Sequence, residues 1–122
     1  MKRILVVDDM SSIRSLIKAV IQSIGSYTVE EASNGELALQ KMKLQGYDLV
    51  ISDWNMPEMS GMDLLRAIRN DETLKTTPVI LLTAETTKQN VQEAISQGIN
   101  GYIVKPFTPD SLITSLRKIL PR

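Results

Sequence analysis

Apolar and polar positions fall in blocks along the chain, and one order of blocks repeats five times: a short apolar run, then a longer amphipathic stretch. Runs at residues 4–8, 27–31, 49–53, 79–83 and 102–105 predict strands. Ile4-Leu5-Val6-Val7, Leu49-Val50-Ile51 and Val79-Ile80-Leu81-Leu82 are continuous and rich in β-branched residues, the pattern of strands covered on both faces. The run at 27–31 is more polar, which places it at a sheet edge. Between the runs, Ile13, Leu16, Ile17, Val20, Ile21 and Ile24 keep helical spacing, and Gly25 stops them. Ser33-x-x-Glu36 predicts a capping box ahead of Leu37, Ala38, Lys41 and Met42. Ser60-x-x-Asp63 predicts another, with Leu64, Leu65 and Ile68 inward. Thr86-x-x-Gln89 opens a helix through Val91, Ala94 and Ile95 that Gly98 ends. Thr108 as N-cap, with Pro109 at the first helical position, opens the last, whose apolar face is Leu112, Leu116 and Ile119. Five βα units in succession predict an α/β fold: a doubly wound, five-stranded parallel sheet with five helices on both faces.

Composition then narrows the chemistry. A length of 122 residues suits one domain, residues 1–122, with no output domain expected. Fourteen Lys and Arg balance fourteen Asp and Glu, without a block of like charge, so neither nucleic acid nor an anionic membrane is the expected partner. The chain has no Cys and no His, which excludes disulfides, thiol catalysis, His-based metal sites and Ser-His-Asp chemistry. Any metal must be a hard cation held by oxygen. Wholly apolar runs reach about four residues, against the ~18–20 that a membrane span needs, and the expected location is the cytoplasm.

What ends each strand is informative. The first ends in Asp8-Asp9, the third in Asp53, the fourth in Thr83 and the fifth in Lys105. C-terminal strand ends share one edge of a parallel sheet, the edge at which open α/β sheets bind ligands. Neighbouring strands lie ~4.8 Å apart, so Asp9 and Asp53 can approach to about 5 Å, where two carboxylates repel by roughly 3 kcal/mol. A divalent cation relieves that repulsion, and Mg²⁺ suits it because it takes few carboxylates and keeps waters for phosphoryl oxygens. Asp53 then reads as a carboxylate nucleophile, Lys105 as a point charge for a phosphoryl oxygen, and Thr83 as a hydrogen-bond donor to the same group.

Asp8-Asp9, Asp53 followed by Trp54-Asn55-Met56-Pro57, Thr83-Ala84-Glu85, and Gly101-Tyr102-Ile103-Val104-Lys105-Pro106-Phe107 resemble the receiver domain of bacterial response regulators. The match runs through the whole chain in order, and is most similar to the single-domain chemotaxis regulators. The resemblance implies a flavodoxin-like sheet of order 2-1-3-4-5, and a phosphorylation-dependent switch in a two-component system. It implies that Asp53 accepts a phosphoryl group from a sensor histidine kinase, and that Asp8, Asp9, Asp53 and the backbone carbonyl of Asn55 bind Mg²⁺. It implies Thr83 and Tyr102 as the switch pair, Asn55 and Glu85 as residues that tune dephosphorylation, and a cis peptide before Pro106. The surface of the fourth helix, fifth strand and fifth helix would bind a flagellar motor switch protein, with a phosphatase as a further partner and the chain a monomer. Met10 departs from the aromatic residue that well-known chemotaxis members carry after the acidic pair.

Other functions fit less well. A haloacid-dehalogenase-type phosphatase also uses Asp, Mg²⁺, Thr and Lys, but expects a second Asp where Asn55 stands, and a cap domain for which 122 residues leave no room. A flavin carrier would offer hydroxyls and amides to a phosphate where Asp8-Asp9 repel one. A constitutive binding module would not need Asp53, Thr83 and Lys105 together. A phosphorelay shuttle, or a regulator of another enzyme, stays open. The chain is therefore expected to be a phospho-acceptor that assists its own phosphorylation and dephosphorylation, and no enzyme.

Overall fold

Alternation along the strands sorts the apolar residues of this protein into two layers, one on each side of a central sheet. The computed structural model describes residues 2–84 and 88–120. In chain order the elements are β1 (Lys2–Val7), α1 (Ser11–Ile24), β2 (Tyr27–Ala32), α2 (Gly35–Leu44), β3 (Leu49–Asp53), α3 (Gly61–Arg69), β4 (Val79–Thr83), α4 (Lys88–Ser96), β5 (Gly101–Val104) and α5 (Pro109–Ile119). The strands pair in parallel in the order β2-β1-β3-β4-β5, with the polar β2 at an edge. This is the flavodoxin-like order that the resemblance implies.

Ile4, Val6, Leu49, Ile51, Ile80 and Leu82 pack with Ile17, Val20, Ile21, Leu112 and Leu116, so α1 and α5 cover one face. Leu5, Val7, Val50, Val79 and Leu81 pack with Ala38, Met42, Leu64, Leu65, Ile68 and Ala94, so α2, α3 and α4 cover the other. Both β3 and β4 are buried along their whole length, as their unbroken apolar runs require.

Local signals decide the helix starts. Ser60 and Asp63 form the expected capping box, and Thr108 caps α5 with Ser111 as its reciprocal partner. The α2 cap differs from expectation by one residue: the Asn34 side chain, in place of Ser33, accepts from Leu37 N–H at 2.8 Å. Packing explains the shift. Starting at Gly35 puts a residue without Cβ beneath Met59, whose sulfur would lie 2.6 Å from an added Cβ. Leu37 (40% exposed) and Ile95 (58%) face solvent. Thr86 and the Ile119 side chain lie outside what the structure describes. No helix among the described residues is long and apolar enough to cross a membrane.

Candidate functional site

The expected polar residues meet at the C-terminal edge of the sheet. β1 ends at Val7, and Asp8 and Asp9 lie in the turn that leads into α1. Asp8 is 1% exposed and Asp53, the last residue of β3, 5% exposed, whereas Asp9 is open to solvent. One carboxylate oxygen from each of Asp8, Asp9 and Asp53 lies within 4.8 Å of the others. Lys105, just past β5, donates to Asp53 Oδ1 at 2.8 Å and sits 3.9 Å from Asp8 Oδ2. The Lys105–Asp53 contact joins residues 52 positions apart in the chain, so only the sheet order brings them together.

Charge balance is unfavourable as it stands. Asp8 Oδ1 accepts from Met10 N–H at 2.9 Å, but Asp8 Oδ2, fully buried, accepts no hydrogen bond. Burial pushes the Asp8 carboxyl up to about 6, with the Asp53 charge adding to the rise and the Met10 N–H and Lys105 opposing it. An acceptor-only oxygen orphaned in a buried acidic cluster is what a hard cation would satisfy. The donor set therefore fits a divalent metal bound through oxygen.

Thr83 ends β4, wholly buried, and its carbonyl accepts from Lys105 N–H at 2.8 Å. Asn55 is exposed in the loop after β3, and Tyr102 on β5 is 44% exposed. The Lys105-Pro106 peptide is cis. Glu85 lies outside the described residues. Beside Lys105, an apolar hollow of about 360 Å³ opens between Ile13 and Leu16 of α1 and Ala84, Pro106 and Phe107.

The acids, the lysine and the buried threonine thus share one edge, and the family profile of the response regulator receiver domain matches residues 4–117. The chain belongs to that family. A receiver domain is the phosphorylation-signalling module of two-component systems. Among its relatives, chemotaxis protein CheY-3 of Vibrio cholerae is 46% identical over 120 residues, which cover 98% of this receiver and 92% of that protein. Chemotaxis protein CheY of Pseudomonas aeruginosa is 44% identical over 120 residues, 98% of this receiver and 97% of that protein. The solved structure of chemotaxis response regulator CheY4 of Vibrio cholerae superposes with a TM-score of 0.90 at 40% identity, covering 98% of this receiver and 99% of that chain.

Two residues that shape the site escaped the sequence reading. Gly61, first residue of α3, lies against the end of β3: an added Cβ would stand 2.4 Å from the Asp53 carbonyl oxygen and 2.9 Å from Trp54 Cα. Arg14 of α1 donates to the Asp8 carbonyl. A glycine after a cap and an arginine on an amphipathic helix look ordinary in sequence. Their roles arise from backbone that approaches from elsewhere in the fold.

Proposed function

We propose that this receiver domain is a chemotaxis signalling switch in which Asp53 accepts a phosphoryl group from the phosphohistidine of a sensor histidine kinase. The observation that carries the reading is the meeting of Asp53 with Lys105 and the two further acids at one sheet edge. An Asp53 carboxylate oxygen attacks phosphorus, the P–N bond of the donor breaks, and the leaving imidazole takes up a proton. Lys105 would move from the Asp53 carboxylate to a phosphoryl oxygen, and Thr83 would donate its hydroxyl to another. Asp8, Asp9, Asp53 and the backbone carbonyl of Asn55 would hold Mg²⁺, which when bound neutralises charge on phosphoryl oxygens. The apolar hollow beside Lys105 offers the donor a surface adjoining the acceptor.

Output runs through the opposite face of the sheet. Tyr102 pairs in register with Leu81, and Thr83 follows Leu81 by two residues, so both side chains belong to the face that α2, α3 and α4 cover. Phosphoryl contact would draw Thr83 toward the site, and Tyr102, partly in solvent, would gain burial by following it. With Ile95 and Val104 also exposed, this remodels the α4-β5-α5 surface, and the partner it fits is a flagellar motor switch protein. The chain acts on itself, as phospho-acceptor, and not as an enzyme on an external substrate.

Acetyl phosphate with Mg²⁺ tests the reading. It is expected to label the wild type and to leave Asp53→Asn unlabelled, and equal labelling of both overturns the acceptor assignment. Lys105→Ala should keep part of the labelling yet lose the phosphorylation-dependent capture of a motor switch protein.

A further inference from the structure

Asp8 and Asp9 occupy a turn, so no regular ladder orients the peptide between them. Tertiary contacts hold it. Asp8 N–H donates to the Ala32 carbonyl at 3.2 Å, and Arg14 Nη1 donates to the Asp8 carbonyl at 2.6 Å. The Arg14 side chain is 17% exposed and is gripped from its other side by Glu31, Nε to Oε1 3.1 Å. Glu31 is itself anchored, because its backbone carbonyl accepts from Lys41 Nζ of α2. A polar strut therefore runs from α2 through β2 and α1 to the carbonyl of Asp8.

We propose that Arg14 is a positioning residue for the cation site: by fixing the Asp8 carbonyl it sets the Asp8–Asp9 peptide, and so holds the Asp9 carboxylate where it can share a metal with Asp8 and Asp53. The inference rests on the metal reading above. Asp9 is the exposed member of the three acids, and mutual repulsion favours its swinging into solvent whenever the turn is free to rotate. The guanidinium suits the task because its planar fork satisfies a carbonyl and a carboxylate at once, which an ammonium on a flexible stem does less well. Charge gives the test its sign. Arg14 is a cation next to a cation site, so its electrostatic effect alone would weaken Mg²⁺ binding, whereas its positioning effect strengthens it.

The experiment titrates MgCl₂ into wild type, Arg14→Met, Arg14→Lys and Glu31→Gln by calorimetry, with metal-free thermal midpoints measured in parallel. Arg14→Met is expected to raise the Mg²⁺ Kd by about tenfold, the low end for residues that orient a metal ligand. Arg14→Lys and Glu31→Gln should fall between it and wild type. An unchanged Kd with a lowered midpoint reduces Arg14 to a structural role, and a lowered Kd makes it a bystander charge; either overturns the proposal. Should Arg14→Met fail to fold, unchanged Kd values in both Arg14→Lys and Glu31→Gln overturn it equally. A wild type that binds no Mg²⁺ refutes the metal reading and this inference with it, whereas a binding wild type with indifferent variants refutes the inference alone.

Discussion

A carboxyl group at 1% exposure, with one oxygen bonded to Met10 N–H and the other without a hydrogen bond, concentrates the energetic cost of this site in Asp8. Its folded-state value of about 6 stands above the ordinary 3.8, chiefly because burial penalises the charged form. The folded state therefore holds the proton more tightly than the unfolded state. Stability from this group is complete below about pH 4 and is lost as pH rises through about 6, by at most about 3 kcal/mol. Asp8→Asn, neutral at every pH, escapes that loss. In metal-free buffer it is expected to be more stable than wild type at pH 7.5, with the difference vanishing near pH 4; urea melts of both proteins at the two pH values check this. A gap that widens on acidification would contradict the sign. The same substitution should weaken Mg²⁺ binding, since it trades a carboxylate for a neutral amide.

The β3–α3 connection is the element that aims Asp53. Trp54 N–H donates to the Leu82 carbonyl, and Gly61 N–H to the Trp54 carbonyl, both at 2.8 Å, so the chain is pinned on either side of the loop. Within it Glu58 takes a φ of 69°, a left-handed conformation that costs a side-chain-bearing residue about 1 kcal/mol or more. The Ser60 capping box then starts α3 with Gly61 against the Asp53 carbonyl. Gly61→Ala forces a Cβ to within 2.4 Å of that oxygen, and backbone must move to relieve it. The expected cost is about 1–3 kcal/mol in denaturant melts, together with slower labelling by acetyl phosphate. Wild-type stability and labelling in Gly61→Ala would show that the loop can yield freely. The caps of α3 and α5 were legible because their partners lie three residues apart in the sequence. The α2 start was not, because Asn34 and Ser33 cap comparably, and the choice fell to Met59 packing on Gly35.

At the scale of the molecule, the site is a junction of the first, third and fifth βα units, bound together by Lys105 contacts with Asp53 and Asp8. A cation that binds only the folded junction stabilises the whole domain, by about 2.7 kcal/mol at a concentration of 100 times Kd. Saturating Mg²⁺ is therefore expected to raise Tm by several degrees, and Asp53→Asn to lose most of that rise. A melting midpoint indifferent to Mg²⁺ in the wild type would remove the metal from the site. Repulsion among the three acids is opposed by the packing of β3, buried along its whole length between β1 and β4, which anchors Asp53 at the sheet edge.

Sequence alone determined the five βα units, the burial of β3 and β4, the polar edge strand and the placing of Asp8, Asp9, Asp53, Thr83 and Lys105 at or just past C-terminal strand ends. These follow from periodicity and from strand polarity: in a parallel sheet all C-terminal ends share an edge, whatever the strand order. Only the tertiary structure decided what meets at that edge at ångström scale. The orphaned oxygen of Asp8, the grip of Arg14 on its carbonyl, the fit of Gly61 against Asp53 and the outward turn of Leu37 and Ile95 all depend on surfaces contributed by distant parts of the chain. Local patterning carries no record of such neighbours, because their energies come from packing and desolvation that exist only once the layers have closed.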